Sequence, residues 1–141
     1  MNVTGTASGS GTTDGSGNYT LLSVPNSGNY TVTPSKAARA PGSANIDTID
    51  VVAIQRHFLV LGTPLTGCRL TAADVNGIGG VDTVDVIATQ RFFLVFSTGI
   101  ANVGRYQFNP INRTYSGVST DQTGQNYNGL IFGDVVTPFV H

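Results

Sequence analysis

The chain has 141 residues, of which 40% are apolar and 11% charged, enough for one compact domain or two small ones. Its polarity comes from Thr, Ser, Asn and Gly, a balance common in extracellular β-rich proteins. A net charge of −1 gives no electrostatic attraction for nucleic acid or an anionic membrane, and no apolar run approaches the roughly 20 residues that span a bilayer.

In chain order, residues 1–35 read as short strands separated by turns. Gly9 to Gly17 is a Gly/Ser/Thr stretch ending in an Asp-Gly-Ser-Gly turn. The stretches Asn18–Val24 and Asn29–Thr33 alternate Val, Tyr and Thr, residues that suit a pleated, half-buried surface, with Pro25–Gly28 as the connecting turn. Residues 47–61 and 82–96 change to helical periodicity; in the second, Val84, Ile87, Ala88, Arg91, Phe92 and Val95 follow i, i+3, i+4, i+7 spacing. Gly62 and the Thr-Pro after it are the stop signal of the first helix. Leu70 to Val75 reads as one short helical turn. Strand character returns at Tyr106–Pro110, Arg113–Ser116, Gln125–Tyr127 and Leu130–Phe132, followed by an apolar tail from Val135 to Val140.

The two helical stretches are copies of one another. Asn45–Val60, NIDTIDVVAIQRHFLV, recurs thirty-five residues later as Gly80–Val95, GVDTVDVIATQRFFLV, with ten of sixteen positions identical. Self-similarity at a fixed spacing means one supersecondary unit used twice, here an acidic loop running into an amphipathic helix. Calcium takes six to eight oxygens, and a loop that carries them at positions 1, 3, 5, 7, 9 and 12 needs a glycine at 6 for its sharp turn. The run from Asp74 to Asp85, DVNGIGGVDTVD, has that form.

With those residues in view, the stretch 39–95 resembles a dockerin, a module of two calcium loop–helix repeats. The resemblance implies calcium ligands at Asp74, Asn76, the Gly80 carbonyl, Asp82 and Asp85, with Gly79 as the turn glycine. Ile78 departs from the pattern, placing an apolar side chain where an oxygen belongs. The first loop departs further: by register its positions 1, 3 and 5 are Arg39, Pro41 and Ser43, which leaves Asn45 through its carbonyl, Asp47 and Asp50. The alternative is that both acidic pairs serve as helix caps, favoured by the helix dipole.

The flanking segments Thr12–Thr20, Tyr30–Lys36, Phe108–Tyr115 and Gln122–Tyr127 resemble carboxypeptidase regulatory-like domains, small prealbumin- or Ig-like β-sandwiches of bacterial surface proteins. The expected fold is therefore α+β: a small antiparallel β-sandwich, residues 1–36 plus 105–141, with an inserted dockerin-like helix pair at 37–104.

Asp47/Asp50 and Asp82/Asp85 could be taken for an acid and base, but their repetition in a metal-loop register points away from hydrolysis. No Ser/His/Asp order, histidine cluster or phosphate loop stands out, so a non-enzymatic protein is expected. His57 replaces Phe92 of the other repeat and reads as a partly buried helix residue. The single cysteine, Cys68, excludes an internal disulfide framework and reads as a buried small hydrophobe, with an intermolecular bond as the sharper alternative. Four Asn-x-Thr sequons, at Asn2, Asn18, Asn29 and Asn112, are candidate glycan sites in a secreted chain; the bacterial resemblance favours Ser/Thr attachment equally. No basic-then-apolar leader opens the chain, so a secreted form is expected to be mature or trimmed.

The functional expectation is an extracellular or cell-surface structural protein, rigidified by calcium, that joins its own copies head to tail by exchanging β-strands. The apolar residues Leu130, Ile131, Phe132, Val135, Val136 and Phe139 are the candidate self-association segment. The alternative is a dockerin-type module docking onto a cohesin-like partner, with Thr48-Ile49 and Thr83-Val84 at the recognition positions.

Overall fold

The computed structural model describes residues 1–21, 24–96 and 101–136. Among these, three helices and two antiparallel sheets make a small α+β protein. The elements are β1 (Asn2–Gly5), β2 (Gly9–Ser10), β3 (Gly28–Thr33), α1 (Thr48–Phe58), α2 (Gly67–Ala73), α3 (Thr83–Phe93), β4 (Tyr106–Asn109), β5 (Arg113–Val118) and β6 (Asn128–Ile131). They fall into two compact units. One joins Met1–Lys36 to Phe108–Asn128; the other joins Ala37–Gln107 to the chain from Gly129 onward.

The first unit is built on a four-stranded sheet of order β2-β1-β3-β5, antiparallel throughout. Val3 lies opposite Val32, and Tyr30 opposite Tyr115. Because strand side chains alternate faces, Val3, Tyr30 and Val32 gather on one face and are buried there. Leu21, Val24, Tyr115, Val118 and Tyr127 pack on that cluster. The expected strand at Asn18–Val24 is not formed at its described residues. Asp14 instead draws in the amides of Ser16 and Asn18 and the Asn18 side chain, closing a local loop. The Tyr19 hydroxyl then anchors that loop by donating to the Gln125 carbonyl. Gln125–Tyr127 also carries no strand pairing; the last strand among the described residues begins at Asn128.

The second unit holds the repeats. Each helix opens on an aspartate in extended conformation, Asp47 or Asp82, closed by a reciprocal capping box with the aspartate three residues on. Each ends before the pattern suggested, at Phe58 and Phe93, because Val60 and Val95 take left-handed φ of 56° and 63°. α1 packs on α3. One apolar cluster gathers Ile46, Val75, Ala88, Phe92 and Val103; a second gathers Ile54, Ala72, Ala73 and Val135.

Val135 corrects the expected boundary. The described residues up to 136 do not belong with the four-stranded sheet: Val135 is fully buried beside Ile54 of α1 and the end of α2, and Gly133 donates to the Ala72 carbonyl at 2.8 Å. Cys68, expected as a small buried hydrophobe, is exposed on α2. No helix among the described residues is long and apolar enough to cross a membrane.

Candidate metal centre

The loop from Asp74 to Asp85 is held by its own polar side chains. Asp74 accepts from the Gly77 amide at 2.8 Å, and Asn76 Oδ1 from the Ile78 amide at 2.7 Å. Gly77, Gly79 and Gly80 take φ of 71°, 78° and 85°. At Gly79 and Gly80 these left-handed angles carry the chain round the turn, which a β-branched residue would resist. Ile78 turns outward, 72% exposed.

Asp85 closes the loop. It is fully buried, one oxygen accepting from the Asn76 amide at 3.0 Å and the other from the Asp82 amide at 2.8 Å. Burial raises its pKa, and the nearby carboxylates of Asp74 and Asp82 raise it further, against the lowering effect of those two amides. Three carboxylates and the Asn76 amide oxygen thus lie along one loop, oxygen donors of the type a hard cation takes. Side-chain carboxylates alone do not complete it: among the described residues no three His, Cys, Asp or Glu side chains converge into a metal-holding group. A calcium ion held here would have to draw on the Asn76 and backbone oxygens as well.

The first repeat keeps half of this geometry. Asp47 accepts from the Ile49 amide at 2.6 Å, as Asp82 does from the Val84 amide, also at 2.6 Å. Asp50 Oδ2 accepts from the Asp47 amide at 3.1 Å, as Asp85 Oδ2 does from Asp82. Asn45 has φ of 79°, matching Gly80. The upstream half differs. Arg39 reaches across it, donating from Nη1 to the Ala44 carbonyl at 2.7 Å and from Nε to the Tyr106 hydroxyl at 3.2 Å. Asp50 Oδ1, whose counterpart on Asp85 takes a loop amide, accepts from Val135 and Val136 at 2.8 and 3.0 Å. Asp50 is buried, and burial is the first cause of its raised pKa.

Asp134 lies beside this pair, a residue the sequence reading did not single out. It is 3% exposed, and its Oδ1 has no hydrogen-bond partner. Burial, then the Asp50 carboxylate, pushes its pKa up to about 6 against the pull of Arg39. The signal was present in the sequence: Gly133-Asp134-Val135 resembles Ala73-Asp74-Val75 at the head of the second loop.

The other candidate residues lie apart from these loops. Asn2, Asn18, Asn29 and Asn112 are all exposed, although the Asn29 amide oxygen accepts from Gly117 and Asn18 donates to Asp14. Of the candidate self-association residues, Ile131 and Phe132 pack on one cluster of the helical unit, and Leu130, Val135 and Val136 belong to the other. That arrangement corrects the picture of a free strand, because their apolar surface is already used at home. Phe139 lies outside the described residues.

Two surfaces stand open. In the first unit a cavity of about 500 Å³ lies against the sheet, lined by Val3, Leu21, Val24, Tyr30, Tyr115 and Val118 and equally by polar residues, among them Thr20, Asn26, Asp121, Gln122 and Gln125. On the helices, Ile49 and Val52 of α1 and their repeat counterparts Val84 and Ile87 of α3 are exposed. Comparison with protein-family models, with curated proteins and with solved structures gave no match.

Proposed function

We propose that the protein is a non-enzymatic, calcium-stabilised structural module of an extracellular or cell-surface assembly, joining its own copies by β-strand addition. The dockerin-like and Ig- or prealbumin-like resemblances remain part of this reading. The observation that carries it is the open side of the first unit. β5 is paired only to β3 among the described strands, and the sheet face beside it borders a cavity of mixed lining, apolar toward the sheet and polar toward the 119–125 loop. An unpaired edge offers a row of backbone donors and acceptors to another chain, and a heterologous contact that does not close grows into a filament. Calcium in the 74–85 loop serves stiffness, since its donors tie α2 to α3. Sedimentation velocity over a concentration series tests this. The wild type should gain mass with concentration, and Ser116→Lys, which puts a charge on β5, should suppress that gain. Equal association by the variant removes the edge from the account.

A second reading rests on the helices. Ile49, Val52, Val84 and Ile87 form repeat-related exposed apolar pairs, and such patches mark protein contacts. They suit a dockerin-type interface for a cohesin-like partner. Retained self-association in an Ile49→Lys, Val84→Lys double variant separates the two readings in favour of the sheet edge.

A further inference from the structure

The first repeat lacks a continuous loop, yet Asp50 is served as if it had one. In the second repeat the residue at position 3, Asn76, donates its amide to Oδ1 of the position-12 aspartate, Asp85. By sequence register position 3 of the first repeat is Pro41, which has no amide hydrogen to give. The amide that reaches Asp50 Oδ1 comes instead from Val136, at 3.0 Å, with that of Val135 beside it. Counting back from Val136 as position 3 makes Val135 position 2 and Asp134 position 1. The Val135 amide is the nearer of the two, at 2.8 Å, and Val136 offers no side-chain oxygen where Asn76 does, so the register is fixed by two further matches. Val135 and Val75 are both fully buried, each directly after its aspartate. Gly133-Asp134-Val135 repeats the small residue, aspartate and valine of Ala73-Asp74-Val75. Downstream, Asn45 and Gly80, Asp47 and Asp82, and Asp50 and Asp85 agree in backbone angle or hydrogen bonding.

We infer that the first calcium loop is split: its opening half is the C-terminal segment Asp134–Val136, its closing half Asn45–Asp50, and Asp134 is the position-1 ligand of a second calcium site. Asp134 has the property such a ligand needs. Its carboxylate is buried, and Oδ1 meets no donor, although a buried anionic oxygen left unpaired is costly and calls for a cation, a proton or water. The buried Ser43 Oγ is likewise without a partner, an additional neutral oxygen on the upstream loop. Arg39 supplies the competing positive charge, acting on Asp134 while its Nη1 and Nε donate to the Ala44 carbonyl and Tyr106. Closing a site with segments more than eighty residues apart would make calcium a clasp that holds the tail onto α1.

The inference rests on reading the 74–85 loop as a calcium loop, and the test separates the two. Calcium chloride is titrated into chelator-stripped full-length protein by isothermal titration calorimetry, for the wild type, Asp134→Asn and Asp85→Asn. Two ions per chain are expected for the wild type. Asp134→Asn should weaken one by on the order of tenfold or more and leave the other unchanged, with Asp85→Asn giving the converse. One ion in the wild type, indifferent to Asp134→Asn, overturns the split loop and leaves the 74–85 site standing. No ion at all overturns both. Amide resonances provide a readout that needs no variant: Val136 and Ile49 should shift together during the wild-type titration, and their constancy while Asn76 shifts overturns the split loop.

Discussion

Asp85 sits where three demands meet: it caps α3, anchors the Asn76 and Asp82 amides, and faces the carboxylates of Asp74 and Asp82. Replacing it with alanine leaves two loop amides without acceptors, each buried unpaired donor costing about 1–3 kcal/mol. Relief from the repelling carboxylates offsets part of that. Asp85→Ala is therefore expected to lower stability by on the order of 2 kcal/mol in chelator, read by thermal denaturation, and to remove the stabilisation by calcium that the proposed reading predicts for the wild type. A variant that calcium still stabilises fully would show Asp85 to be only a cap. Tyr127 offers a test in the other unit. Burial raises its pKa to about 12, and its hydroxyl donates to the Val32 carbonyl at 2.9 Å. A phenol with a raised folded pKa favours the protonated form in the native state. Its contribution is whole below the unfolded pKa of about 10 and is lost as pH climbs toward 12. Stability should fall over that window, and Tyr127→Phe should flatten the fall, as measured by urea unfolding at stepped pH.

At the scale of elements, α1 and α3 are one design with two fillings. Both open on capping boxes, and Asp47→Ala or Asp82→Ala should each cost about 1 kcal/mol, measured by denaturant unfolding. The fillings differ at one repeat position. Phe92 is buried in the core among Ile46, Val75, Ala88 and Val103, whereas His57 is half-buried and accepts the Leu65 amide on Nδ1 at 3.0 Å. Phe92→Ala should cost about 3–5 kcal/mol, far more than His57→Ala. The thirty-five-residue repeat made both helices and their caps legible, because caps and helical periodicity are local. The end of each helix was less so: left-handed Val60 and Val95 are set by surroundings that no residue type announced. The strand expected near Asn18 failed for a similar reason, since Asp14 and the Tyr19 hydroxyl gave that segment side-chain anchors instead of a ladder. The hydrogen-bonded turn of the 74–85 candidate loop could be read almost whole, being contiguous. Asp134 was missed because its partners Asp47 and Asp50 lie more than eighty residues away, and because the apolar residues around it invited reading the tail as a donated strand.

At the scale of the molecule, the tail changes what association can use. Leu130 to Val136 is packed into the helical unit, so freeing it would open the cluster around Ile54 and Ala72 and strip Asp50 Oδ1 of its two amides. In the proposed reading, self-association would therefore fall to the edge of β5, which pairs only with β3 among the described strands, and calcium would act on the other unit as a stiffener. The two roles are separable, and chelation should soften the helical unit without dissolving the joints between copies. Electron microscopy of the purified protein, with calcium and again after chelation, tests this most directly. The account predicts filaments of regular repeat in both conditions, absent from Ser116→Lys. Dispersed single-chain particles from wild-type protein in both conditions would contradict it.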